Sequence, residues 1–353
     1  MKSLKPAALV CCIVLLGLRT AANPAVPALE DLRAGKTFIP SAVTTTEEDR
    51  EVLRLFQGLR LADVSDGIEK AGRRQQEKEI GLPPDLSVSN VSYAGVRSSS
   101  YGLKPFPPAG GWQKAAEAMG DYFPGSTPAA IWIVGEMRKP RATRLFFPSD
   151  GQTYPHIQFE DGDKHEPFLT HFDGAGVKIF LQVEPADADV PTLIDLVLDR
   201  YKHHECVVGL GVDVEWYREA DRPGRGIPVD DETAKIWEER VKSHNSSYRL
   251  FLKHWDQAWL PKIYRGDIVF VDDSQIFDNF EAMVEEFAAR WAPHFYPNTV
   301  FFQIGYKSDK LWWQKLTNPP ETIGKAIAAK VKQSCGIFWV DFTLKEVLPS
   351  AIE

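Results

Sequence analysis

From Ala129 onward the chain repeats one pattern: a short apolar run rich in β-branched and aromatic residues, then, in most cases, an amphipathic stretch with helical spacing. The runs are Ala130–Val134, His156–Phe159, Val177–Val183, Cys206–Val214, Tyr248–Leu252, Asp267–Val271, Thr299–Gln303 and Gly336–Val340. Between them the spacing predicts helices over Val190–His203, Asp231–Ser243, Asn279–Trp291 and Glu321–Ser334, with Leu344–Ile352 closing the last unit. Asp231 and Asn318 are the expected N-cap residues, and Pro319 follows Asn318 at the first helical position. Eight strand–helix units in roughly 225 residues match the count and size of a (β/α)8 barrel. An open doubly wound sheet is the competing architecture. It commonly carries a glycine-rich phosphate turn after its first strand, whereas here that turn reads Gly135-Glu136-Met137-Arg138. The expected fold is therefore α/β, a (β/α)8 TIM barrel preceded by an N-terminal extension.

The expected domains are a signal peptide over 1–22, an extension of mixed helix and loop over 23–125, and the barrel over 126–353. Lys2 and Lys5 precede an apolar stretch from Ala7 to Leu18, and Thr20 and Ala22 take the small-residue positions of a cleavage site. That stretch is too short to span a bilayer, so a secreted protein with no membrane attachment after cleavage is expected. The formal charge is -8. Losing Lys2, Lys5 and Arg19 would take it to -11. Such an acidic balance argues against a nucleic-acid partner, because neutralising phosphates takes clustered Lys and Arg. Cleavage would leave two cysteines, Cys206 and Cys335, at strands on opposite sides of the ring, and so two separate thiols.

In such barrels the chemistry sits where strands run out into helices. The third run ends at Gln182 and Glu184, and the fourth at Asp213, Glu215 and Trp216. The fifth ends at Lys253-His254-Trp255-Asp256, the sixth at Asp272-Asp273, the seventh at Gln303 and Tyr306, and the eighth at Trp339 and Asp341. Carboxylates perform acid–base and nucleophilic work on glycosidic bonds, amides bond sugar hydroxyls, and Trp and Tyr rings offer flat apolar platforms. A carbohydrate partner follows from this set. Neighbouring carboxyls cannot both ionise cheaply, so Asp213 and Glu215 are expected to divide into an ionised partner and a proton donor. Of Asp272 and Asp273, one is expected to cap the following helix and one to face the site. The chain carries no HxH or HExxH spacing and no P-loop, and neither a metal nor a cofactor is expected.

The stretch Gly211-Val212-Asp213-Val214-Glu215-Trp216 resembles the Asp-x-Glu strand end of the chitinase-like glycoside hydrolase family 18, and is similar to that of family 25 lysozymes. The resemblance implies Glu215 as general acid, with Asp213 orienting an N-acetyl group of the substrate. It further implies that Tyr306 and Asp272 or Asp273 hold that group, and that Trp339 floors the site. Gln182, Glu184, Trp216, His254, Trp255, Gln303 and Asp341 complete the expected substrate-binding set. The family usually has further Asp residues upstream, where this chain has Gly211 and Val208. That departure leaves a chitinase-like lectin, binding without cleavage, as the alternative. A metal-dependent deacetylase or a lyase is a third.

Overall fold

The computed structural model describes residues 90–138, 141–218 and 226–352. The expected signal peptide and most of the expected extension lie outside them. Eight parallel strands close into a ring. In chain order these are β1 (Val91–Ser98), β2 (Thr127–Arg138), β5 (Lys178–Val183), β6 (Val207–Asp213), β7 (Arg249–Lys253), β8 (Val269–Asp272), β9 (Val300–Ile304) and β10 (Cys335–Val340). Pairing of β1 with both β10 and β2 shuts the ring. The principal helices are α1 (Ala109–Asp121), α2 (Glu166–Ala175), α3 (Val190–Tyr201), α4 (Asp231–His244), α5 (Phe280–Glu285) and α6 (Pro319–Ala328). No helix among the described residues is long and apolar enough to cross a membrane.

The barrel is as expected, but its first two strands are not. Val91–Ser98, expected within the extension, is the first strand, so the barrel starts near residue 91 rather than 126. Its inward positions read Tyr93, Gly95 and Arg97, which do not form an apolar run. Gly95 is required there because a Cβ would meet the carbonyl oxygen of Ala129. Conversely, the His156–Phe159 run is not a barrel strand. It forms β4 (Ile157–Phe159), which pairs only with β3 (Ala142–Leu145), and β3 in turn runs antiparallel to the overlong end of β2. A strand in a side ribbon and a strand in a barrel carry the same short apolar signature, so periodicity cannot separate them. The two errors cancel, and the third to eighth units keep their order.

Alternation along each strand divides the core in two. Ala129, Ile131, Phe180, Phe251, Val269, Val271, Phe301 and Phe338 fill the barrel interior. Outward residues such as Ile179, Leu181, Leu210, Val212, Phe270, Phe302 and Ile337 pack under the helices. Helix α3 shows why the helices sit as they do. The Asp189 carboxylate accepts the Thr192 N–H at 3.0 Å, and Leu193, Ile194, Val197, Leu198 and Tyr201 form its buried stripe. For α4 the cap is Asp230, one residue before the expected Asp231, whose carboxylate instead accepts the N–H groups of Ile263 and Tyr264. Asn318 stands at the N-cap of α6 as expected, with Pro319 first in the helix, but its side chain makes no capping bond. The expected Asn279–Trp291 helix is α-helical only to Glu285 and widens into a π-helix over Glu286–Trp291. Cys206 and Cys335 are separate buried thiols, as the topology requires.

Candidate functional site at the mouth of the barrel

Continuing the inward alternation toward the carboxyl ends of the strands replaces apolar side chains by polar ones. Phe180 is followed by Gln182 and Glu184, Phe251 by Lys253, Val271 by Asp273, and Phe301 by Gln303. A polar ring therefore lies directly on the aromatic plug, where chemistry in this architecture is found.

Lys253 organises the ring. Its ammonium contacts Asp213 Oδ2 at 2.9 Å, Glu215 Oε1 at 2.5 Å and Asp273 Oδ2 at 2.5 Å. Asp213 ends β6, and Glu215 lies in the 3-10 turn Val214–Trp216 that follows. Gln182 donates to Asp213 Oδ2 at 3.2 Å. One ammonium cannot neutralise three carboxylates, and buried net charge is costly, so protons stay on part of the set. Burial, then the charge of Asp273, raises Glu215 well above the usual carboxylate range. Burial also raises Asp213, against the pull of Lys253. Burial pushes Asp273 the same way, yet Lys253 and a hydrogen bond from Glu215 hold it below its ordinary value. Burial opposes the charge on Lys253, and the three carboxylates more than restore it. These directions favour the proton on Glu215 and the negative charge on Asp273.

A second group lies across the mouth. Glu184 accepts the Tyr101 hydroxyl at 2.8 Å and the Met137 N–H at 2.9 Å. Burial, with Asp213 nearby, pushes its carboxyl up to about 7. Arg97 donates to Asp341 Oδ1 at 3.1 Å and lies against the rings of Phe342 and Tyr101. Asp341 also accepts from the backbone and hydroxyl of Ser99 at 2.7 and 2.8 Å. Tyr306 donates to Gln303 Oε1 at 3.0 Å. Outside the ring, between the outward face of β2 and α2, lies a cavity of about 360 Å³ walled by Phe106, Trp132, Phe146 and Phe168 and edged by Ser99 and Ser100.

The structure thus brings together Gln182, Glu184, Asp213, Glu215, Asp273, Gln303, Tyr306 and Asp341. It takes Trp339 and Asp272 out of the expected site. Trp339 points outward, packs edge-on against Trp313 at 5.3 Å and donates to Thr343, so it is core and not a sugar platform. Asp272 is the structural member of its pair, accepting the Ser274 N–H at 2.8 Å on the outward phase of β8. His254 is a buried wall residue that accepts the Asp256 N–H at 2.7 Å and stacks on Trp259. Trp255 is exposed and Trp216 half-buried. Sequence reasoning placed Lys253 at a strand end without giving it a role in the site, and it missed Arg97 and Tyr101. The alternation Phe251, Lys253 carried the signal for the first. Arg97 and Tyr101 were hidden with β1. Nor did the sequence reading expect a metal site, yet Glu166, His203 and His204 converge elsewhere in the described residues.

No protein-family model and no curated protein matches this chain. Among solved structures it is similar to a Bacteroides thetaiotaomicron protein assigned as an α-L-fucosidase (10% identity, TM-score 0.48, covering 76% of this chain and 98% of that one). It is also similar to a β-glucuronidase of an uncultured Clostridium (10%, 0.40, covering 70% and 43%). A third is TsXylA, the intracellular xylanase of Thermoanaerobacterium saccharolyticum (10%, 0.37, covering 73% and 90%). Likeness at this depth carries no substrate, reaction or residue role.

Proposed function

We propose that the protein is an exported glycoside hydrolase acting on an oligosaccharide or polysaccharide, with Glu215 as general acid and Asp273 as its ionised partner. The observation that carries this reading is geometric: Glu215 and Asp273 share the Lys253 ammonium in a buried polar ring at the carboxyl ends of the strands. A proton donor beside a carboxylate is what cleavage of a glycosidic bond requires. Glu215 Oε1 and Asp273 Oδ2 each lie 2.5 Å from the same Nζ. They are therefore within about 5 Å of each other, short of the roughly 6.5–9.5 Å an inverting pair needs to admit water. That spacing favours retention of anomeric configuration over inversion, through Asp273 as nucleophile or through an N-acetyl group of the substrate oriented by Asp213. The Asp213–Glu215 motif and Tyr306 favour an N-acetylhexosamine at the cleaved position.

One observation favours a second reading, carbohydrate binding without turnover. Gly211 and Val208 supply no carboxyl where the family 18 pattern has Asp, and a side chain on Gly211 would meet the ring of Phe251. Incubation of the purified protein with chitin, peptidoglycan and plant and fungal glucans separates the two. Release of shorter sugars supports the hydrolase, whereas retention on a glycan without product selects the lectin.

A further inference from the structure

Outside the polar ring, between α2 and the turn entering β6, lies a grouping that the proposed hydrolase chemistry does not use. His203 and His204 lie in the turn between α3 and β6, and Glu166 is the first residue of α2. Both histidine Nε2 atoms converge on the one carboxylate. His203 stands 3.3 Å from Oε1 and His204 stands 3.3 Å from Oε2. One ligand atom from each of the three residues lies within 4.8 Å of the others.

We propose that Glu166, His203 and His204 form a binding site for a divalent transition-metal ion of the zinc type, which clamps α2 to the turn entering β6. Three features point to a metal rather than to surface ion pairs. The first is distance. Charge-assisted hydrogen bonds settle at about 2.7–2.9 Å, whereas ligand atoms about 2.0–2.1 Å from a tetrahedral zinc stand about 3.3 Å apart. The second is the tautomer of His204. Its Nδ1 lies 2.7 Å from Asp173 Oδ2. The other Asp173 oxygen accepts the Cys206 N–H at 2.8 Å, so the carboxylate is an acceptor and Nδ1 carries the hydrogen. With Nδ1 committed to Asp173, Nε2 is the ring atom that faces Glu166 and is placed to meet a cation between them. The third is the surrounding shell. A ligating histidine that donates its other N–H to a carboxylate is the usual support of a metal site. His204 is buried while His203 and Glu166 reach solvent, which leaves the ion an entry path and room for water as a further ligand. Imidazole and carboxylate ligands without thiolate suit zinc and its neighbours rather than calcium or magnesium. None of the three residues belongs to the polar ring, so the role is structural.

The test is zinc alone, titrated into untagged, chelator-treated full-length protein, followed by calorimetry and thermal unfolding. One zinc per chain and a rise in Tm of several degrees are expected. The double variant Glu166→Gln, His203→Gln changes only half-exposed side chains and should leave the zinc-free Tm nearly unchanged. It should weaken zinc binding tenfold or more and abolish the rise. Absorption at the zinc edge should show only nitrogen and oxygen neighbours at about 2.0–2.1 Å. Absence of zinc uptake, an unchanged affinity in the double variant, or a shell containing sulfur would each overturn the site.

Discussion

Lys253 does more at the mouth than neutralise charge. It touches Asp213, Glu215 and Asp273 at once, and it keeps Asp273 ionised beside a protonated Glu215. Replacing it by Met removes the charge that holds Asp273 down, so the acidic limb of the pH–rate profile should move to higher pH. Replacement by Arg should shift it less. A Lys253→Met profile with an unmoved acidic limb would contradict this role. Glu184 makes a separate prediction on stability. Its carboxyl is raised from 4.5 to about 7 in the fold, so the folded state binds its proton more tightly than the unfolded chain. The stabilisation is complete below about pH 4.5 and is lost as pH rises through about 7, amounting to a few kcal/mol at most. In urea titrations across that window, Glu184→Gln should flatten the fall. An equal fall in both proteins would remove Glu184 as its cause. Of these two side chains the sequence marked Glu184 alone. Lys253 was legible only to a reader who carried the alternation of β7 one step beyond Phe251.

At the scale of elements, β6 explains both the motif and its departure from the resembled family. Inward positions of β6 hold Gly209 and Gly211 before Asp213, and Phe251 from β7 fills the space that Gly211 leaves. A carboxylate there would displace the ring from the aromatic plug. Gly211→Asp should cost about 3 kcal/mol or more, read as a lowered Tm with no gain of activity. A stable and more active Gly211→Asp protein would mean that the plug can yield. The same strand-level physics decided what the sequence could show. Runs such as Val300–Ile304 and Cys335–Val340, buried along their length, read as strands wherever they occur. β1 did not, because its inward face is Tyr93, Gly95 and Arg97, residues chosen for close approach and for the site rather than for apolar packing. Its absence from the reading removed Arg97 and Tyr101 with it.

For the whole molecule, closure of eight strands around an aromatic interior makes the polar ring possible. The plug of Phe180, Phe251, Phe301 and Phe338 excludes water beneath the carboxyls, and that exclusion separates their proton affinities. The account places a shared-proton pair, Glu215 and Asp273, at the centre of a retaining glycosidase. Proton NMR of the first-formed sugar tests it most directly, on an oligosaccharide that the protein cleaves, with wild type and Glu215→Gln side by side. The account predicts that the wild type releases the anomer of the substrate's own configuration, and that the variant is slower by about 10²–10⁴-fold. An inverted first product, or a Glu215→Gln protein as fast as wild type, would contradict it.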